Sequence, residues 1–160
     1  MICCIIECMK IFYVFIFFIS SPLIAQKIQP LSNYSFESIL ENNESSHMIL
    51  EGCVSLYSAV TELTKNRYPE LGNQFYEMAN TIYPYGIISL SKIKDIPYKE
   101  AEKKFFTNVN SLTSQYINEM NKNGKKNNSY FKDSFLGDDL FFCHEVTKSL
   151  QLIVLESLGE

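Results

Sequence analysis

The sequence has no tryptophan, two histidines (His47 and His144) and a single arginine (Arg67) among its 14 basic residues. A nucleic-acid-binding domain usually carries an arginine-rich basic patch, and a formal net charge of −4 argues against one here. Only six glycines and five prolines occur, none of them clustered, so no glycine-rich phosphate loop, collagen-like repeat or low-complexity linker is present. No Ser lies in a Gly-x-Ser-x-Gly elbow, no Cys-x-x-Cys redox pair or Cys-x-x-Cys-His haem attachment occurs, and no internal repeat is visible. What is abundant is apolar residue: 46 % of 160 residues, against 20 % charged, enough for one folded domain and too much for a disordered chain.

The apolar residues are unevenly distributed. Ile11–Ile19 is an uninterrupted apolar run preceded by Met9-Lys10 and followed by Ser20-Ser21-Pro22 and Leu23-Ile24-Ala25. A basic start, a short apolar core and a small residue at a plausible cut after Ala25 make the pattern of a secretory signal peptide, residues 1–25, with Met9 as a possible true start. The run is shorter than the roughly 20 residues a membrane-spanning helix needs, so retention as an anchor is the alternative. No cysteine follows the expected cut, which argues against a lipoprotein. The expected location is secreted or periplasmic.

Removal of the leader takes away Cys3, Cys4 and Cys8 and leaves Cys53 and Cys143. Two thiols in an oxidising compartment read as one disulfide. Residues 26–44 are polar, with scattered apolar positions, and read as an irregular arm carrying at most a short helix at Phe36–Leu40. From residue 45 to 160, helical periodicity takes over. Ser45-Ser46 can cap a helix with the stripe Ile49, Cys53, Leu56, Val60 and Leu63, broadened by Tyr57 and ended before Pro69. A second stripe, Leu71, Phe75, Met78 and Ile82 with Ala79, is expected to stop at Tyr83-Pro84-Tyr85-Gly86. Residues 87–94 are ambiguous between helix and extended chain.

The longest stripe is Tyr98, Ala101, Phe105, Val109, Leu112, Tyr116 and Met120, after which Asn121–Ser129 reads as a loop. The last helix, started near Gly137-Asp138-Asp139, carries Cys143, Val146, Leu150 and Ile153, with Phe142 and Val154 alongside. The fold class is therefore all-α, an irregular bundle of about four amphipathic helices tied by an inter-helix disulfide. Irregularity is expected because Cys53 and Cys143 would sit at different levels in a regular antiparallel bundle: either the last helix begins low on the bundle or, the favoured reading, the break at Pro84–Gly86 spoils simple alternation.

Chemistry-bearing residues are sparse. His47 and Glu51 are one helical turn apart. His144 and Glu145, with Asp138 and Asp139, offer an acid–base set for a metal-dependent or hydrolytic enzyme. The plainer reading of the two aspartates is favourable charge at a helix start. Spacing encodes no metal site, and no cofactor is implied. Aromatics stand out: eight Phe and nine Tyr follow residue 25. Tyr68, Tyr83, Tyr85, Tyr98 and Tyr130 fall at expected helix ends, where they form a possible binding rim or simply pack the ends of the bundle. The lysines of 122–126 read as a solvated turn. Sequons at Asn33, Asn43 and Asn127 would matter only in a eukaryotic secretory pathway. The function expected is non-catalytic binding of an unknown protein or a small apolar ligand, with no nucleic acid, and with a membrane only if the leader is retained.

Overall fold

A computed structural model describes residues 28–36 and 42–158, with side chains described as far as Ile153. The expected leader, and most of the expected helix at Phe36–Leu40, lie outside the described residues. The described residues form a short 3-10 turn at Leu31–Asn33 and four helices: α1 (Asn43–Thr64), α2 (Pro69–Lys94), α3 (Tyr98–Asn127) and α4 (Phe135–Leu158). No strand occurs among them. The all-α class and the Cys53–Cys143 disulfide, with Cα atoms 5.3 Å apart, are as the sequence indicates.

Helix α1 is the centre of the molecule and packs against α2, α3, α4 and the 3-10 turn. Its expected stripe is buried, with Ile49, Cys53, Leu56 and Val60 at most 2 % exposed, but so are Leu50, Val54 and Tyr57 on other faces. A helix surrounded by neighbours needs small residues where they approach closely, and Gly52 is one. A Cβ there would lie 2.6 Å from the Leu31 side chain that the arm lays across it. The helix begins earlier than Ser45-Ser46 implies. Asn42 caps it, its side-chain oxygen accepting from the Glu44 and Ser45 amides at 2.9 and 3.4 Å.

The expected break in the second helix does not occur. α2 runs through Pro84 and Gly86 to Lys94, so residues 87–94 are helical, and it ends at Asp95 in the left-handed conformation (φ 49°). Pro84 has no N–H to donate to the Asn80 carbonyl, and its ring crowds that carbonyl. Both Pro84 and Asn80 are exposed, so the freed Asn80 carbonyl faces water. Gly86 is part of the packing: a Cβ on it would strike the tip of the Phe105 ring from α3. The buried face of α2 is accordingly built of small residues among aliphatic ones, Gly72, Ala79, Ile82, Gly86, Ile87 and Leu90.

Helix α3 buries Ala101, Phe105, Val109, Tyr116 and Met120 as its stripe requires, while Tyr98 is 48 % exposed and Leu112 half-buried. It continues through most of the expected Asn121–Ser129 loop. Asn123 donates to the carbonyls of Ser129, Tyr130 and Lys132, and Asn127 donates to Asn123 Oδ1 at 2.8 Å and to the Lys132 carbonyl. Asparagine disfavours helices by bonding nearby backbone in other conformations. Here the side chains bond the returning chain instead, and the helix closes only at Asn128 (φ 53°).

The expected source of irregularity, a broken α2, is absent, and the two cysteines still meet. One turn beyond the disulfide on each helix, the Tyr57 hydroxyl lies 3.1 Å from Thr147 Oγ1. The disulfide and this hydrogen bond are two buried ties between α1 and α4. The apolar stripe of α4 runs off the core. Cys143 and Val146 are at most 1 % exposed, Leu150 is half-buried and Ile153 is 51 % exposed.

Candidate functional site

The arm and α4 form the most chemically distinctive region. Leu31 packs on Gly52, the Ser32 amide donates to Asp139 Oδ1 at 2.9 Å, and the Tyr34 hydroxyl lies 3.7 Å from the Met48 sulfur. These contacts hold the arm alongside α4 and open a cleft of about 570 Å³ lined by Ser32, Tyr34, Phe36, Asp138, Phe141, Phe142, Glu145 and Ser149. The α4 contributors repeat at three- and four-residue steps and so share one face. On the other side of Phe141, a hollow of about 340 Å³ is lined by Tyr57, Phe75, Met78, Gly137, Leu140, Phe141 and His144. Phe141 stands between them as a ridge, 69 % exposed. A further cleft of about 400 Å³ lies between the arm, α1 and α3, with Leu31, Met48, Glu51, Leu112 and Tyr116 in its wall.

The acid–base candidates are parted by this geometry. Asp138 and Glu145 line the arm-side cleft, while His144 is exposed and opens onto the hollow beyond Phe141. Asp139 is fully buried beneath the 3-10 turn. His47 meets Glu51 at 3.2 Å, and Glu51 also accepts from Asn108 at 3.1 Å, a tie between α1 and α3. Among the described residues, no group of three or more His, Cys, Asp or Glu side chains is placed to hold a metal ion.

Three buried groups have altered proton affinities. Burial raises the Tyr57 hydroxyl to about 12, partly offset by its bond to Thr147. Burial raises Tyr116 still further, helped by the negative charge of Asp139. Burial also pushes the Asp139 carboxyl above its ordinary 3.8, against the lowering effect of hydrogen bonds from Ser32 and Leu31. One Asp139 oxygen and the Tyr116 hydroxyl are buried without a hydrogen-bond partner.

The sign follows directly. A carboxyl whose pKa is raised on folding binds its proton more tightly in the native state, so its ionisation costs stability as pH rises from 3.8 through the native value. Asp139→Asn keeps an acceptor for Ser32 and removes that charge. It should leave stability at pH 7 unchanged or higher and flatten the stability profile above pH 4, as read by urea unfolding across pH. Asp139→Ala, which orphans the Ser32 amide, should lower stability by about 1–3 kcal/mol. Greater loss from the asparagine variant than from the alanine variant would contradict this account.

The five expected rim tyrosines do not form a single rim. Tyr83, half-buried, packs edge-on to Phe105 with ring centres 5.3 Å apart, and its hydroxyl is raised by burial, then by Glu102 and Tyr98 nearby. Tyr98 and Tyr83 are thus brought together. Tyr68 stands at the α1–α2 turn beneath Arg67, whose guanidinium lies 5.5 Å from the ring centre. Tyr130 covers Gly124 and meets Phe131, and Tyr85 packs half-buried against the core. None of the five lines the three clefts described. Phe36 and Phe141 belong to no motif, although the sequence carries a signal for Phe141. Leu140-Phe141-Phe142-Cys143 is four consecutive apolar residues, and no helix buries four consecutive positions against one neighbour.

No protein-family model matches this chain, and no curated protein or solved structure is similar to it.

Proposed function

We propose that this chain is an exported, non-catalytic binding module whose contact surface is the phenylalanine-lined face of α4 beside the arm. The observation that carries the reading is Phe141, an aromatic left 69 % exposed between two depressions, each walled in part by other aromatic side chains. Large exposed aromatics flanked by concavities are the usual anchors of protein–protein contacts. The clefts are open, which suits an inserted side chain better than an enclosed small molecule. Support for export comes from the leader-like pattern and from a buried disulfide, a bond that persists in oxidising compartments. Among the described residues, no helix is long and apolar enough to cross a membrane.

Two measurements test the reading. N-terminal sequencing of protein recovered outside the cytoplasm should begin at Gln26, whereas a membrane-retained chain beginning at Met1 or Met9 would favour the anchored alternative. Affinity capture should recover a partner with the unaltered chain and with Leu71→Asp, an exposed control on α2, but not with Phe141→Asp. Equal capture by both variants would remove α4 as the contact surface.

A further inference from the structure

Resting on that reading of α4, we infer that its partner is a second copy of the same chain, paired antiparallel along α4 about a two-fold axis. Phe141, Glu145, Lys148 and Leu152 follow one another at steps of four, three and four, a single stripe distinct from the buried one through Cys143 and Val146. Phe141 and Leu152 are 69 % and 51 % exposed, Lys148 is exposed and Glu145 half-buried. Among the described residues, neither Glu145 nor Lys148 takes part in an ion pair.

The stripe has the same spacing in both directions, with apolar ends and opposite charges inside. Antiparallel pairing therefore sets Phe141 of each copy on Leu152 of the other, and Glu145 of each on Lys148 of the other. A two-fold interface requires this kind of self-complementarity. Parallel pairing would oppose Glu145 to Glu145 and Lys148 to Lys148, which repel. The stripe spans about 16 Å of helix, so the contact is modest and the dimer should dissociate on dilution. Leu152 of the second copy would sit at the mouth of the cleft between the arm and α4, beside Phe141.

Sedimentation velocity of the oxidised full chain over a concentration series tests this. A reversible monomer–dimer equilibrium is expected. Glu145→Lys and Lys148→Glu should each weaken it by roughly tenfold, and the chain carrying both should return close to the original affinity, because the charge pair is then restored in reverse. Circular dichroism confirms that each variant is folded. A chain that is monomeric throughout, single reversals without effect, or a double variant no better than the singles would each overturn the inference. So would binding to zwitterionic vesicles in place of dimer formation. If the chain is monomeric yet Phe141→Asp alone loses a captured protein, α4 remains a binding surface and only self-pairing fails.

Discussion

Replacing Cys53 and Cys143 together by alanine should lower unfolding free energy by about 4–5 kcal/mol and the melting temperature by roughly 15 °C. The bond joins residues 90 apart in sequence and so removes a large share of the freedom of the unfolded chain. Its place in the fold makes it more important still. The apolar stripe of α4 leaves the core after Val146, so beyond the disulfide its buried apolar anchors are Leu136 and Val146. Both sulfurs are fully buried, which adds the loss of packed volume. Guanidinium unfolding with and without reductant measures the effect. Reductant should shift the unaltered chain toward the double variant and leave the variant itself unmoved. A difference below about 1 kcal/mol would mean that α4 is held by contacts other than sulfur.

How far the sequence was readable depended on what kind of residue carried the information. Large apolar residues at helical spacing identified α1 and α3, because burying Ile49, Leu56, Phe105 or Tyr116 is a strong effect that repeats each turn. The pairing of Cys53 with Cys143 followed from their being the two cysteines beyond residue 25. Small and polar residues were misleading. Gly86 in Tyr83-Pro84-Tyr85-Gly86 has the local chemistry of a helix stop, and only the tertiary approach of Phe105 turns it into a packing notch. Asn123 and Asn127 have the composition of a loop, and only the returning carbonyls of Ser129, Tyr130 and Lys132 make them helix-compatible.

The candidate site was less legible for a related reason. Tyrosines at helix ends were prominent in sequence, yet Tyr130 and Tyr83 are engaged with Gly124 and Phe105. Whether Phe141 is covered depends on how obliquely α4 crosses α1, and periodicity does not encode a crossing angle. Phe141, on which the proposed contact surface rests, was therefore present in the sequence as a surplus apolar position, without a pattern to say that it stays exposed.

Gly86→Ala tests the close approach of α2 and α3. Within an exposed helix, this substitution would stabilise by about 1 kcal/mol, since alanine has the better helical propensity. Here the added methyl meets the Phe105 ring, which is fully buried and has little room to retreat. On one side Tyr83 meets it edge-on at 5.3 Å, and on another His47 lies at 5.9 Å, itself held by Glu51. Overpacking of this kind costs about 1–3 kcal/mol, so the sign should reverse and Gly86→Ala should destabilise. Phe105→Leu, which shortens the opposing side chain, should be destabilising alone. It should also abolish the penalty at Gly86, so that the double variant is less destabilised than the sum of the singles by about 1–3 kcal/mol. Chemical unfolding of the four chains supplies the cycle. Stabilisation by Gly86→Ala in the unaltered background would mean that the helices can part without loss, and that this glycine is merely tolerated; additive effects would place Phe105 and Gly86 in independent environments. Coupling of the expected size would instead show that the missing side chain at position 86 is what lets Phe105 reach the core from α3.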